Sequence, residues 1–151
     1  LAEAPYLCIL NNDTVVFAGW LEEMIALAEA DETIAMVNPS SNTSGEVPPA
    51  GMPAEAYAAS LRRHAGETQE LSNCRGFCML LRRAVVERAG FFDEAYDLGY
   101  FEETDYSRKI SRLGFRIVRA KGAYVHHAER ASFKRLDRAD ARFGRNERIF
   151  N

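Results

Sequence analysis

Apolar runs and amphipathic stretches alternate along the chain, and they predict strands and helices in turn. Five short apolar runs predict strands at residues 6–10, 34–37, 76–81, 115–118 and 123–126. Four stretches of helix formers, or of apolar residues at helical spacing, predict helices at residues 21–28, 54–63, 83–89 and 105–113. Gly90 and Gly114 follow two of these stretches and predict where the helices end. Strands that alternate with helices indicate an α/β domain with a largely parallel sheet.

Two segments depart from this alternation. Residues 38–53 are rich in Asn, Pro, Ser, Gly and Thr, and they predict a long surface loop. Residues 129–147 carry more basic than acidic side chains, which favours a solvated helix with ion pairs along it. A contact with an anionic acceptor or a membrane surface is the alternative interpretation. No internal repeat or domain boundary is visible, so residues 1–151 are expected to form one domain.

The composition is that of an ordinary globular domain. The 151 residues are 47% hydrophobic and 27% charged, with a formal net charge of −3. These values argue against a disordered or coiled-coil chain and against a general nucleic-acid binder. No apolar run approaches the ~20 residues of a membrane-spanning helix. The three cysteines include no CxxC pair, which suits a reducing compartment, and we expect Cys8 and Cys78 to be small core residues.

The first candidate site follows the first predicted strand. Asn11, Asn12 and Asp13 come directly after it, and open α/β sheets bind ligands outside the carboxyl ends of their strands. A carboxylate beside two amides offers the oxygen ligands that Mg²⁺ and Mn²⁺ prefer. The alternative is a turn in which these side chains serve only the backbone, and the tripeptide by itself favours that alternative.

A second candidate site is acidic and precedes the helix predicted at residues 105–113. Glu102, Glu103 and Asp105 fall at its start, where the helix dipole stabilises negative charge, so part of the cluster is explained by capping. Glu102 and Asp105 are three residues apart and share a helix face, whereas Glu103 points elsewhere. Aromatic neighbours would raise the pKa of Glu103 and suit it to act as a general base.

Two adjacent histidines end the last predicted strand. Because neighbouring residues on a strand point to opposite faces, only one of His126 and His127 can join a given site. A histidine after a strand is more often structural than a metal ligand, unless acidic partners converge on it.

The order and the residues of these motifs resemble those of the family 2 glycosyltransferases, inverting enzymes of GT-A fold that use nucleotide-sugar donors. The resemblance covers about residues 6–134. The segments that carry it are CILNNDTV at 8–15, GWL at 19–21, GFCMLLRR at 76–83, AGFFDE at 89–94, YFEETD at 100–105, LGFRI at 113–117, VHH at 125–127 and SFK at 132–134. It implies a GT-A fold with a mostly parallel sheet flanked by helices.

The resemblance also implies roles for the acidic residues. Asn11, Asn12 and Asp13 fall on the family's DXD motif, so Asp13 would bind the Mn²⁺ or Mg²⁺ ion that bridges the donor's diphosphate. Glu102 and Glu103 fall on its ED motif, whose second acid is the catalytic base. Glu103 stands where the family usually has Asp, and its side chain is one methylene longer.

The remaining implied roles concern the metal and the substrates. His127, rather than His126, matches the family's metal-site histidine by its distance to Ser132. Gly76 lies in the segment that lines the acceptor and donor-sugar pocket. The set expected to bind substrate is Asn11, Asn12, Gly76, Glu102 and Asp105.

The implied activity is the transfer of a sugar from a nucleotide-sugar donor to an acceptor hydroxyl with inversion, with Glu103 taking the hydroxyl proton. The acceptor would be a saccharide, a lipid-linked molecule or a protein. Family membership would imply surface polysaccharide or glycoconjugate synthesis in the cytoplasm, with a peripheral contact at the inner face of the membrane as a further expectation. A nucleic-acid partner is not expected.

The family's nucleoside-binding half normally precedes the DXD strand, and this sequence begins at that strand. We therefore expect residues 1–151 to be the C-terminal part of a GT-A domain, with its first strand as an exposed edge. The missing half, a partner chain or a second copy would have to cover this edge. The isolated chain is expected not to transfer sugar.

Two other functions stay open at this point. A truncated domain of this kind could serve as a non-catalytic interaction module. A metal-dependent phosphatase of the haloacid-dehalogenase type also ends a buried strand in an acidic turn. In this chain, however, Asn11 would replace its nucleophilic Asp, and an amide cannot form an aspartyl-phosphate.

Overall fold

The computed structural model describes residues 3–45, 47–96, 100–128 and 139–151, with the side chains of residues 139–142 left out. These ranges contain six strands: β1 (Tyr6–Leu10), β2 (Thr14–Val16), β3 (Ile34–Ser40), β4 (Thr68–Glu70), β5 (Cys78–Arg82) and β6 (Arg116–His127). Five α-helices accompany them in the described residues: α1 (Trp20–Ala30), α2 (Ala54–Leu61), α3 (Arg83–Ala89), α4 (Glu102–Arg112) and α5 (Ala139–Phe150). None of the described helices is long and apolar enough to cross a membrane.

The strands form one mixed sheet in the order β1-β5-β3-β6-β2, and β4 also pairs with β6. Only β3 and β6 run parallel among the described strands, while every other pair is antiparallel. The predicted α/β class is confirmed, but the mostly parallel sheet is wrong for this part of the chain. An apolar run indicates that a strand is covered on both faces. It does not indicate whether the neighbouring strand runs parallel or antiparallel to it.

Helices cover both faces of the sheet. On one face, α1 packs Met24 and Leu27 against a core that includes Val37. On the other face, α4 packs Ile110 into a second core that includes Met36. Because successive residues of β3 point to opposite faces, this strand contributes to both cores, and all seven of its residues are buried.

The predicted boundaries differ from the structure in several places. β3 continues through Ser40, three residues into the segment predicted as a loop. A single strand, β6, replaces the two predicted at residues 115–118 and 123–126, because the polar Arg119 and Lys121 alternate with the buried Ala120 along a continuous strand. The strands β2 and β4 were not predicted, because three residues are too few to show an alternation of polar and apolar positions. Residues 129–138 of the predicted basic helix lie outside the described residues.

β1 lies at one end of the described sheet, where it pairs with β5 on one side. Its side chains are accordingly more exposed than those of β3, with Ile9 at 38% and Leu10 at 41%. Cys8 is exposed as well, so its predicted place in the core is wrong, whereas Cys78 is fully buried as expected.

A buried amide joins β3 to the residues that precede β5. Asn38 is 2% exposed. Its Oδ1 accepts a hydrogen bond from the backbone N–H of Arg75 at 2.6 Å, and its Nδ2 donates to the Arg75 carbonyl at 3.1 Å and to the Cys78 carbonyl. The pairing of β3 with β5 ends at Val37 and Leu80. The Asn38 side chain therefore replaces backbone bonds at the point where the two strands separate.

We expect Asn38→Ala to lower the free energy of unfolding by about 2–4 kcal/mol, because it removes the partners of three backbone groups in or beside the core. Urea denaturation would measure the loss. Asn12→Ala is the matched control, since it removes an exposed amide and should change stability by less than about 0.5 kcal/mol. Equal losses in the two variants would contradict the role given to Asn38.

Candidate functional site

Asp13 and His127 lie side by side at one end of the sheet. β2 pairs with the end of β6, which places Thr14 opposite His127, and the N–H of Ala128 donates to the Asp13 carbonyl at 2.9 Å. His127 Nε2 is 3.2 Å from Asp13 Oδ1, and each side chain is 17% exposed. The predicted proximity of the two side chains is confirmed, and both still reach solvent.

Neighbouring side chains hold His127 in this position. Its ring stacks on Phe77, with centroids 5.3 Å apart and an interplanar angle of 18°. The Asn42 side chain accepts a hydrogen bond from the His127 N–H at 2.7 Å and donates to its carbonyl at 2.8 Å. His126, the residue directly before it on the strand, points to the opposite face, where its Nδ1 is 3.4 Å from the Tyr124 hydroxyl. His127 is thus the histidine that faces Asp13.

Asn11 and Asn12 occupy the connection between β1 and β2, and both are exposed. The N–H of Asn11 donates to the Phe77 carbonyl at 2.9 Å, and its own carbonyl accepts from the Thr14 hydroxyl at 2.7 Å. The backbone of this connection is therefore well held. The bonds fit the turn that the Asx-rich sequence predicts, and the turn presents Asp13 to His127.

Glu102 and Glu103 begin α4. The two residues before them have positive φ angles, 69° at Tyr100 and 74° at Phe101, a region that large side chains rarely adopt. Oε2 of Glu102 is buried and has no hydrogen-bond partner among the described residues. A buried carboxylate oxygen without a partner is costly, which marks this atom as a place where a ligand hydroxyl could donate.

Burial raises the pKa of Glu103 above its ordinary value, and the neighbouring charge of Glu102 raises it further. Backbone N–H groups and the Arg75 guanidinium oppose this shift. The predicted direction is confirmed. Gly76 lies against the same side chain, since a Cβ on it would be 4.0 Å from Glu103 Cγ and Cδ. Gly76 and Glu103 therefore lie side by side, and the place of Gly76 in a substrate pocket stays a prediction.

Asp105 lies on the same first turn but has a different neighbour. Its charge acts on Tyr96, a buried residue whose pKa is raised first by burial and then by the negative charge of Asp105. The N–H of Asp105 donates to the Phe101 carbonyl at 2.8 Å. The contact of Asp105 with substrate stays a prediction.

Residues 74–77 connect the acidic pair to the Asp13–His127 pair. The N–H of Cys74 donates to Ser107 Oγ at 3.0 Å, and this hydroxyl donates to the Glu103 carbonyl at 2.7 Å. Three residues further on, Phe77 stacks on His127. One short segment therefore contacts the backbone of Glu103 at its start and the ring of His127 at its end.

Four residues that hold these groups in place were not predicted from the sequence: Asn38, Asn42, Phe77 and Ser107. Asn38 had a usable signal, because it is the first polar residue after the apolar run at residues 34–37, although β3 continues through it to Ser40. Nothing in the sequence pointed to Ser107 or Asn42, because their bonds to the backbones of Cys74 and His127 join residues that are distant in the sequence. Residues 132–134, named in the resemblance, lie outside the described residues.

The donor set fits a divalent cation that is shared with a phosphate ligand. Within the described residues, no group of three or more His, Cys, Asp or Glu side chains could hold a metal ion. Asp13 and His127 supply one carboxylate and one imidazole. Mg²⁺ and Mn²⁺ at phosphate sites commonly take only one or two protein ligands, with the remainder coming from phosphate oxygens and water.

Comparison with known proteins identifies a family and a fold. The sequence profile described as glycosyltransferase like family 2 matches residues 2–146. A search of curated proteins found no match. Among solved structures, the chain is similar to GalNAc-T7, crystallised with UDP, GalNAc and Mn²⁺, with a TM-score of 0.60 and 16% sequence identity.

The structural match covers 82% of this chain and 27% of GalNAc-T7, so the chain spans about a quarter of that protein. At this identity the match shows a shared fold, the GT-A fold of glycosyltransferases. The family profile, in contrast, covers nearly every residue of the sequence, including the segments around Asp13, Glu103 and His127. The chain therefore belongs to the glycosyltransferase-like family 2.

Proposed function

We propose that this chain contributes the catalytic centre of an inverting, metal-dependent transferase that moves a sugar from a nucleotide-sugar donor to an acceptor hydroxyl. One observation carries the proposal: an Asp13–His127 pair at 3.2 Å is joined through residues 74–77 to Glu103, a partly buried carboxylate with a raised pKa. Membership in the family supplies the reaction class.

In this proposal, Asp13 and His127 hold a Mn²⁺ or Mg²⁺ ion together with the donor's diphosphate. Such an ion, when bound, neutralises charge on the departing nucleotide diphosphate. The chemistry of the pair supports this role, and GalNAc-T7, which shares the fold, was crystallised with UDP and Mn²⁺. The exposed amides of Asn11 and Asn12 belong to the same connection and are the proposed contacts to the donor.

Glu103 is the proposed general base. Its carboxylate would take the proton from the acceptor hydroxyl while that oxygen attacks the anomeric carbon, and the bond to the diphosphate would break on the opposite side. A raised pKa suits a base at neutral pH, because the protonated product is then less acidic. Oε2 of Glu102 would accept a hydrogen bond from a substrate hydroxyl, and Gly76 leaves room beside Glu103.

The cellular role is proposed from the family and from composition. We propose synthesis of surface polysaccharide or of another glycoconjugate, with a saccharide, a lipid-linked molecule or a protein as acceptor. A cytoplasmic location with a peripheral contact at the inner face of the membrane fits three cysteines that form no disulfide. The family match favours a transferase over the phosphatase alternative. The interaction-module alternative is decided by the next two experiments.

Asp13→Asn in the intact protein should reduce Mn²⁺-dependent sugar transfer by orders of magnitude, because it replaces an anionic ligand with a neutral amide. The release of nucleoside diphosphate from a panel of nucleotide-sugars would measure the rate. Glu32→Gln, at an exposed carboxylate outside the proposed site, is the control and should retain the wild-type rate. A near-normal rate in Asp13→Asn would remove the metal assignment.

Glu103→Gln should lower kcat by about 10²–10⁴-fold with little change in donor affinity, because it removes the base and retains the shape of the side chain. Glu102→Gln is the neighbouring control, and its effect on kcat should be smaller. Steady-state kinetics with both variants separates the two carboxylates. If Glu102→Gln were the more damaging change, the base would have to be reassigned.

Glu103→Gln should also be more stable than the wild type at neutral pH. Because the folded-state pKa of Glu103 is raised, ionisation costs more in the folded protein than in the unfolded chain. The folded wild type therefore loses stability as the pH rises from the pKa of Glu103 in the unfolded chain towards its pKa in the folded protein. The glutamine variant has no such loss. Thermal unfolding from pH 4 to pH 8 would measure a difference that vanishes below about pH 4, the range of an ordinary glutamate. A variant less stable than wild type at pH 8 would contradict the assigned cost of burial.

A further inference from the structure

Two consecutive aromatic residues with a left-handed backbone precede the acidic pair. Tyr100 has φ 69° and Phe101 has φ 74°, and no other non-glycine residue in the described ranges has a positive φ. Residues with a Cβ adopt this region at a cost in strain, and such strain persists only where the surrounding structure holds it. The segment directly before Glu102 is therefore held by contacts from elsewhere in the fold.

A buried amide of α5 supplies part of this restraint. Asn146 is 1% exposed. Its Nδ2 donates to the carbonyl of Tyr96 at 2.5 Å and to the carbonyl of Tyr100 at 3.2 Å. The second bond acts directly on the peptide unit that joins Tyr100 to Phe101, which lies between the two positive φ angles.

Aromatic contacts with the same helix supply the rest. The Tyr100 ring packs edge-on against Phe143 with centroids 5.6 Å apart, and the Phe101 ring lies 5.1 Å from both Phe143 and Phe150. The Arg108 guanidinium of α4 also lies 3.7 Å from the centroid of the Phe150 ring. α5 therefore contacts both the strained residues and the helix that begins directly after them.

We propose that Asn146 is a positioning residue that acts through Tyr100 and Phe101 to set where the carboxylates of Glu102 and Glu103 lie. This inference rests on the proposed function of Glu103 as the base. The middle of α4 is held in the core by Tyr106 and Ile110. Its first turn lacks a side-chain cap at Phe101, so the direction in which the helix begins depends on the backbone of Tyr100 and Phe101.

A merely stabilising role for α5 makes a different prediction. Loss of a stabilising contact lowers the fraction of folded protein and changes no kinetic constant of the molecules that stay folded. Loss of a positioning contact lowers kcat in the folded protein, since small displacements of a catalytic group are costly. The positioning role also predicts rescue by glycine, which adopts the left-handed region without strain.

The test uses the intact protein and measures kcat, donor KM and thermal stability. Asn146→Ala should lower kcat by about 10–100-fold and change donor KM by less than about twofold. Adding Tyr100→Gly should restore most of the lost kcat, although it removes the ring that packs on Phe143. Glu147→Ala, on the exposed side of the same helix, is the control and should retain the wild-type constants. If Asn146→Ala does not fold, Phe143→Leu loosens the same segment through its rings and should show the same fall in kcat.

Hydrogen exchange tests the restraint without any substrate. In Asn146→Ala the amides of residues 102–105 should exchange faster than in wild type, while the Gly90 amide, bonded to Val86 at the end of α3, should not change. Unchanged exchange at residues 102–105, or a wild-type kcat in the variant, would overturn the inference. If the wild type transfers no sugar, the proposed function fails, and the exchange rates alone decide whether Asn146 restrains the acidic pair.

Discussion

The hydrogen bonds between the Asn38 side chain and the backbone of Arg75 are the constraint on which the site depends. They hold residues 74–77 at the place where β5 leaves β3, and this segment then contacts Glu103 through Ser107 and His127 through Phe77. If this segment were not fixed, the end of β6 and the start of α4 would not be held in a defined position relative to each other. A single buried amide can do this because it bonds both the N–H and the carbonyl of one residue, as a neighbouring strand would.

The acidic pair is a region where the fold tolerates unfavourable energetics. Glu103 is partly buried beside Glu102, an oxygen of Glu102 lacks a partner among the described residues, and two strained residues precede them. Each feature opposes folding, and the packed cores on both faces of the sheet offset them. Such a concentration is typical of sites that bind or transform a ligand, where a substrate hydroxyl or proton supplies the interaction that the free protein lacks.

Local features of the fold were predictable from the sequence because local physics decides them. α3 spans the residues predicted for it and ends before Gly90, whose φ of 81° suits glycine. The apolar runs at β3 and β5 marked buried strands for the same reason, and the run at β1 marked a strand that the structure leaves largely exposed. Strand direction was not predictable, since antiparallel pairing of β5 with both β1 and β3 depends on where the connecting segments return to the sheet. The exposure of Cys8 likewise depends on which strands lie beside β1.

The sequence by itself determined which side chains are the candidates for chemistry: an acidic turn after a strand, two glutamates at a helix start and a histidine at a strand end, in an order that resembles one enzyme family. The choice of His127 over His126 also followed from the sequence. Only the tertiary structure decided how these groups are held, through the long-range hydrogen bonds of Asn38, Asn42, Ser107 and Asn146. These residues act on backbone groups that are distant in the sequence, and a hydrogen bond between distant residues leaves no periodic pattern that a sequence could display.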